Sequence, residues 1–173
     1  MKGQRAVDWR LIDEMVPRSK FDERVREKSL ELAANSDRPE GESGIQLDRL
    51  ERSEADNEIR YPFVTVTLNR AARTPTLEIQ GPDSDAPDDV EAIKKQGVNF
   101  WPLEVARALD DALLHLRFNE PTLGTLIIKT TGDGARVAAY DTLLSDNQDN
   151  WLVREILLYL QRTYKRLDVT SRT

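Results

Sequence analysis

The stretch NFWPLEVARALDDALLHLRFNEPTLGTLIIK, residues 99–129, decides the fold. Its first two thirds repeat apolar residues at helical spacing. Val105, Leu109, Leu113 beside Ala112, and Leu116 form one stripe. Pro102 suits a first helical turn, where a missing N–H costs little. A helix is predicted over residues 99–118. Pro121 and Gly124 then break the period. Leu126, Ile127 and Ile128 follow as a continuous apolar run, which predicts a strand over 125–129 in a sheet covered on both faces.

Outward from that stretch, Phe63, Val64, Val66 and Leu68 alternate with Thr65 and Thr67, the period of a strand. Residues 76–80 read as its hairpin partner. A short helix over 90–96 is capped by Asp88 or Asp89 and closed by Gly97. A second long helix spans 150–166, with Val153, Ile156, Leu157, Leu160 and Tyr164 inward. Residues 169–173 read as the start of another strand. Two strands, a helix, a strand and a helix make an α/β body.

The first residues differ. Residues 4–16 read as a short amphipathic helix stopped by Pro17. Ser19 caps a second helix, with Asp22 at capping-box spacing and Phe21, Val25 and Leu32 on one face. Residues 37–60 are polar and read as a linker with a helical tendency near 47–52. Three segments result: helical 1–36, linker 37–60 and α/β 61–173. A first helix with nothing to cover, and a last strand barely begun, read as an internal piece of a longer protein.

Composition removes several function classes. The chain has 173 residues, a formal net charge of −6 and a pI near 5.0. That balance argues against nucleic acid as the main partner, since phosphate contacts need clustered Lys and Arg. Without cysteine there is neither a disulfide framework nor a thiolate metal site. The start, MKGQRAVDWR, lacks the apolar core of a signal peptide, and no run of about twenty apolar residues could cross a bilayer. A cytoplasmic location with no membrane partner is expected.

The constellations that could carry chemistry fail one by one. Thr131-Gly132-Asp133-Gly134 lacks the Gly-Lys-Ser/Thr of a P-loop, and Val137 stands where a dinucleotide fingerprint needs its third glycine. It reads as a turn. The acidic run beginning at Asp83 has Asp88 and Lys94 where a calcium loop needs Gly and Glu. His115 is the single histidine, which excludes multi-histidine metal sites. It reads as an exposed partner of Asp111, away from the Leu109–Leu113–Leu116 stripe. Asp110 and Asp111 are adjacent on a helix and point apart, so they form no dyad. Trp9, Trp101 and Trp151 border helices and read as packing residues. From the residues alone, no nucleophile, base and oxyanion set assembles.

A family resemblance adds to this. WRLIDEMVPRSKFDERVREKSLELAA, residues 9–34, resembles the late part of a crotonase (enoyl-CoA hydratase/isomerase) domain, most clearly at Leu11-Ile12-Asp13-Glu14-Met15-Val16-Pro17. FVTVTLNRA, residues 63–71, resembles the first strand of such a domain. ALDDALLHLRFNEPTLGTLIIKTTGDG, residues 108–134, resembles its first helix and next strand. The end of one domain followed by the start of another is the order of a tandem crotonase. NFWPLEVARALDDAL (99–113), NWLVRE (150–155) and RTYKRLDVTSRT (162–173) resemble the central region of the benzoyl-CoA-dihydrodiol lyase (2,3-epoxybenzoyl-CoA dihydrolase) family.

The resemblance implies a carbon–carbon lyase that opens the ring of an oxygenated, dearomatised benzoyl-CoA with water. Formate and an aliphatic semialdehyde-CoA leave. The substrate is a CoA thioester, and no cofactor or metal is implied. Two backbone N–H groups would hold the thioester oxyanion, and carboxylates elsewhere would handle protons. One donor would follow the strand at 125–129, where the family shows Ala-Gly-x-Asp. Here the stretch is Ala138-Ala139-Tyr140-Asp141, which makes Ala138, Ala139 and Asp141 the candidate substrate-binding residues of a degenerate oxyanion loop. No catalytic residue carries over, so the isolated chain is expected to be inactive. Unpaired sheet edges imply a homo-oligomer, formed by strand pairing or by exchange of the N-terminal helices. The alternative is a small non-catalytic α/β binding or assembly module.

Overall fold

A computed structural model describes residues 3–36 and 38–170, which divide into two compact units, Met1–Glu40 and Gly41–Thr173. In the first unit, helix α1 is only Gly3–Asp8, far shorter than the predicted 4–16. It ends where Leu11 N–H donates to the Ala6 carbonyl and Arg10 N–H to that of Val7, at 2.9 and 2.8 Å. This bond pair, with Arg10 left-handed at φ 56°, is a Schellman stop, which apolar periodicity does not reveal. Ser19 caps nothing. It sits within a 3-10 turn, Arg18–Lys20, and helix α2 (Phe21–Ala34) begins directly after without a side-chain cap. Trp9 is 54% exposed, with the Arg5 guanidinium over its ring, so packing does not explain it.

The second unit is built on a five-stranded sheet in the order β1-β2-β3-β4-β5. Strands β1 (Ser53–Ala55) and β2 (Glu58–Arg60) fall inside the segment that reads as a linker. Each has three residues, and only Ile59 among them is an apolar side chain that reaches the core, too little for a period to show. Residues 47–52 are not helical. β3 (Val64–Asn69) and β4 (Thr74–Gln80) form the predicted antiparallel hairpin, with Val66 opposite Leu77. Asp89 caps helix α3 (Val90–Gln96) by accepting from Ala92 N–H at 2.8 Å, and Gly97 closes it at φ 61°.

Helix α4 (Trp101–Asn119) forms almost where its period places it, with Pro102 in the first turn. Val105, Ala108, Leu109 and Ala112 pack on the sheet with Ile59, Val66, Leu68 and Leu77. Farther toward its start, Leu103 joins a second cluster with Ile93, Phe100 and residues of the last two helices. β5 (Ile127–Thr131) pairs parallel with β4, so the chain between them is a crossover. Its predicted coverage on both faces is wrong. β5 is the sheet edge, every residue of it is exposed, and Ile127 and Ile128 remain 41% and 45% accessible.

Helix α5 (Gly134–Asp146) forms where the sequence shows a turn and small residues. Tyr140 and Leu144 are its buried side chains. Helix α6 (Trp151–Thr170) buries Val153 and Ile156 as predicted and Leu152 besides, while Leu157 and Leu160 are partly buried. Thr163, rather than Tyr164, faces inward below them. Its hydroxyl is satisfied by the Tyr159 carbonyl at 3.0 Å. The strand predicted from 169 is contradicted at Val169 and Thr170, which continue the helix, while 171–173 lie outside the described residues.

Gly132 fixes the junction between the sheet and α5. Its φ is +116°, and an added Cβ would stand 3.0 Å from both Cα and N of Gly81. Gly81 N–H donates to the Thr131 carbonyl at 2.7 Å, so backbone meets backbone there. Gly134, two residues on, has open space around it. We predict that Gly132→Ala lowers unfolding stability by roughly 1–3 kcal/mol through strain and crowding, measured by urea denaturation. Gly134→Ala, in the first helical turn, should leave the midpoint unchanged or higher.

Candidate functional site

The end of β5 is where the sequence places its candidate binding residues. Asp133 caps α5, its Oδ1 accepting from Ala135 N–H at 2.8 Å and its carbonyl from Val137 N–H at 3.2 Å. Only the first turn of a helix has N–H groups without an intrahelical partner. Ala138, Ala139 and Asp141 lie beyond that turn, with exposed side chains and N–H groups committed to the helix ladder. The Ala138 carbonyl also accepts the Thr142 hydroxyl at 2.9 Å. These residues therefore present no free donor pair to a thioester oxygen.

The same helix explains the acidic loop at 83–89. Arg136 Nε donates to Asp85 Oδ1 at 3.1 Å, and its Nη1 donates to the Asp83 carbonyl at 2.8 Å. The Tyr140 hydroxyl donates to the Asp85 carbonyl at 3.3 Å, while its ring lies 5.7 Å from Phe100 and 5.5 Å from Trp101. The loop is a strap over α5. Among the described residues no group of three or more His, Asp or Glu side chains could hold a metal ion. No helix among them is long and apolar enough to cross a membrane.

The densest polar arrangement lies elsewhere, at the far end of α4. Its open cleft of about 1200 Å³ is lined by Arg49, Arg52, Glu54, Arg60, Tyr61 and Asp111 among others. Asp111 Oδ2 accepts from Arg52 Nη1 at 3.0 Å and from the Tyr61 hydroxyl at 2.7 Å. Arg52 also grips Glu54. Burial, and then the Asp111 carboxylate, push the Tyr61 hydroxyl well above the usual phenol range.

His115 belongs to this cluster and is buried, not exposed. Residues 50–54 cover the side of α4 that sequence assigns to solvent. His115 Nδ1 lies 3.2 Å from Arg52 Nη2 and 3.0 Å from Asn119 Nδ2. A guanidinium can only donate, so Nδ1 presents its lone pair and the ring proton sits on Nε2. The pairing of His115 with Asp111 does not form, because Arg52 stands between their roles and serves both. No periodicity marks Arg52 or Tyr61 as the partners, since their contacts cross 59 and 50 residues of sequence.

Asp110 points the other way, as adjacency on a helix requires. It meets Arg166 of α6 at 2.6 Å, an ion pair whose angles fall short of a hydrogen bond. Neither aspartate is placed against a nucleophile. The cluster crosslinks the polypeptide, with Asp111 Oδ2 and His115 Nδ1 taken by internal donors.

No family model matches the chain. Over all 173 residues it is 40% identical to the benzoyl-CoA-dihydrodiol lyase of Aromatoleum evansii. The chain resembles that lyase. It spans 31% of the length of benzoyl-CoA-dihydrodiol lyase, so the match covers all of the chain and about a third of its relative. This bears out the likeness carried by residues 99–113, 150–155 and 162–173.

Two measurements test the electrostatics of α4. Tyr61→Phe keeps the ring and removes the donor to Asp111, and should cost about 1–2 kcal/mol of unfolding free energy. Glu104, in the first turn of α4, has its carboxyl pushed up by burial, then by Glu51 and Asp83 against the opposing effect of Arg107. A carboxyl raised in the folded state is penalised once ionised. That penalty is absent below the unfolded value, about 4.3, and grows as pH rises through the folded one. Glu104→Gln should therefore raise the denaturation midpoint at pH 7, and the gain should vanish below about pH 4.

Proposed function

We propose that the chain forms part of a CoA-thioester lyase that opens the ring of 2,3-epoxy- or 2,3-dihydrodiol benzoyl-CoA in aerobic aromatic degradation. The observation that carries this reading is the 40% identity over all 173 residues to a protein named benzoyl-CoA-dihydrodiol lyase. In this reading residues 61–173 are the first part of a crotonase-like domain, and residues 1–36 close a preceding one across the segment 37–60. The hairpin β3–β4, the crossover helix α4 and the parallel strand β5 are compatible with that ββαβα order.

An oxyanion hole stabilises the thioester enolate during ring opening. Its donors lie outside Ala138–Asp141, whose N–H groups serve the helix, and its proton-handling carboxylates lie outside this chain. The chain thus shapes and supports the site, and by itself turns over no substrate. The whole protein is cytoplasmic, self-associating and free of metal and cofactor, and it binds neither nucleic acid nor membrane. The net charge of −6 supports the exclusion of nucleic acid.

A second reading, a non-catalytic α/β binding or assembly module, is favoured by one observation. Asp111 and His115 accept from internal donors, and the N–H groups at 138–141 are committed to the helix. An exchange experiment separates the two readings. This chain replaces the matching third of the Aromatoleum evansii lyase, and formate release from 2,3-epoxybenzoyl-CoA is measured. Retained ring opening supports the lyase reading. A chimera that melts cooperatively and releases no formate overturns it and leaves the module. Formate release by the 173-residue chain alone would refute its inactivity.

A further inference from the structure

His115 is the single histidine of the chain, and it is buried. Its Nδ1 faces two donors, Arg52 Nη2 at 3.2 Å and Asn119 Nδ2 at 3.0 Å. The titratable and charged groups of this cluster are Arg52 and Glu54 from one sheet edge, Tyr61 from the turn after β2, and Asp111 from α4 itself. Arg52 touches Glu54, Asp111 and His115 together, so its guanidinium ties β1 to α4. That edge is slight. β1 has three residues, all exposed, and is paired to β2 alone. Leu50, partly buried against the sheet cluster, is a second hold on the same segment.

We propose that His115 is a proton-operated latch on this edge. Neutral, its Nδ1 lone pair accepts from Arg52 and helps to fasten residues 52–54 to α4. Protonated, it releases Arg52 and takes Asp111 as its own partner. The inventory of donors decides the exchange. A guanidinium has only N–H groups to offer, so once Nδ1 carries a proton two donors meet and two positive charges adjoin. Asn119 escapes the same conflict by turning its amide, which brings Oδ1 to the new N–H. Arg52 has no such turn and must withdraw. Asp111 lies four residues before His115, the spacing at which side chains of one helix meet. The imidazolium therefore finds its counter-ion on its own helix. The Asp111–His115 pair that the sequence suggests is the arrangement of the acid form. One carboxylate passes from a guanidinium to an imidazolium, so the cluster rearranges and the edge strand loses its tie.

The latch does not rest on the ring-opening reading, and its test needs no substrate. Histidine changes charge between about pH 5 and 8. Arg52 holds the Glu54 carboxyl below the usual carboxylate range, so Glu54 stays ionised there. Hydrogen exchange on the purified chain, with intrinsic rates allowed for, should show protection at residues 53–60 falling about tenfold between about pH 7.5 and about pH 5.5. Val66 and Leu77 in the central hairpin should keep theirs. Nitrogen shifts of the single imidazole should show the proton on Nε2 at the higher pH, and the loss of protection should follow the titration of that ring. His115→Gln keeps a side-chain acceptor and takes up no proton, so its protection at 53–60 should not change with pH. Arg52→Gln should be poorly protected at both. Unchanged protection in the wild type overturns the proposal, as does an equal fall in His115→Gln. So do a neutral ring that carries its proton on Nδ1 and an Arg52→Gln variant that behaves as the wild type.

Discussion

Everything in the second unit hangs on α4 being buried along two sides. Its alanines at 106, 108 and 112 are essentially inaccessible, which lets the helix axis come close to its neighbours. One side completes the sheet's core, and the other receives α3, α5 and α6. Each apolar side chain so covered contributes about 1.5–3 kcal/mol, so one helix links two clusters that neither could stabilise alone. Polar contacts then fix its ends. The Trp101 indole N–H donates to the Gln80 carbonyl at 3.1 Å, tying the start of α4 to the end of β4. At the other end Asp111 and His115 reach Arg52 and Tyr61.

This explains what was legible in the sequence. α4 and the β3–β4 hairpin have strong periods because one of their faces is always covered, and the period survives as a pattern of residue types. A cap at Asp88 or Asp89 was legible because a cap is a local bond, and the structure selects Asp89. His115 was not, because its surroundings come from residues 50–54, which carry no period of their own. α5 was hidden for a related reason. It offers few large apolar residues and is held from outside by Arg136 and Tyr140 gripping the 83–85 loop. The edge position of β5 is a property of topology, and a run of Leu126-Ile127-Ile128 reads the same at an edge as at a centre.

The candidate site followed the same division. Position after a strand drew attention to residues 132–141, and family likeness gave them a role. The geometry separates the two parts of that stretch. Gly132 lets two backbones touch, and Ala138, Ala139 and Asp141 are ordinary helical positions. A glycine that meets another glycine across a strand end is indistinguishable, in sequence, from one that meets a phosphate. What the chain carries in abundance is support: crosslinks among loops, a strap over α5, and a cluster in which Arg52 and Tyr61 bind Asp111.

The crossover between β4 and β5 also sets an order of events in time. The β3–β4 hairpin joins neighbours in sequence, so its loop-closure entropy is small. β5 meets β4 only after α3 and α4 have been laid down. Once docked, β5 has hydrogen-bonded neighbours on one side only and side chains open to water. Like β1 at the opposite edge, β5 is thus held from one side only, and edge amides of this kind open more readily in local fluctuations than those of the central strands.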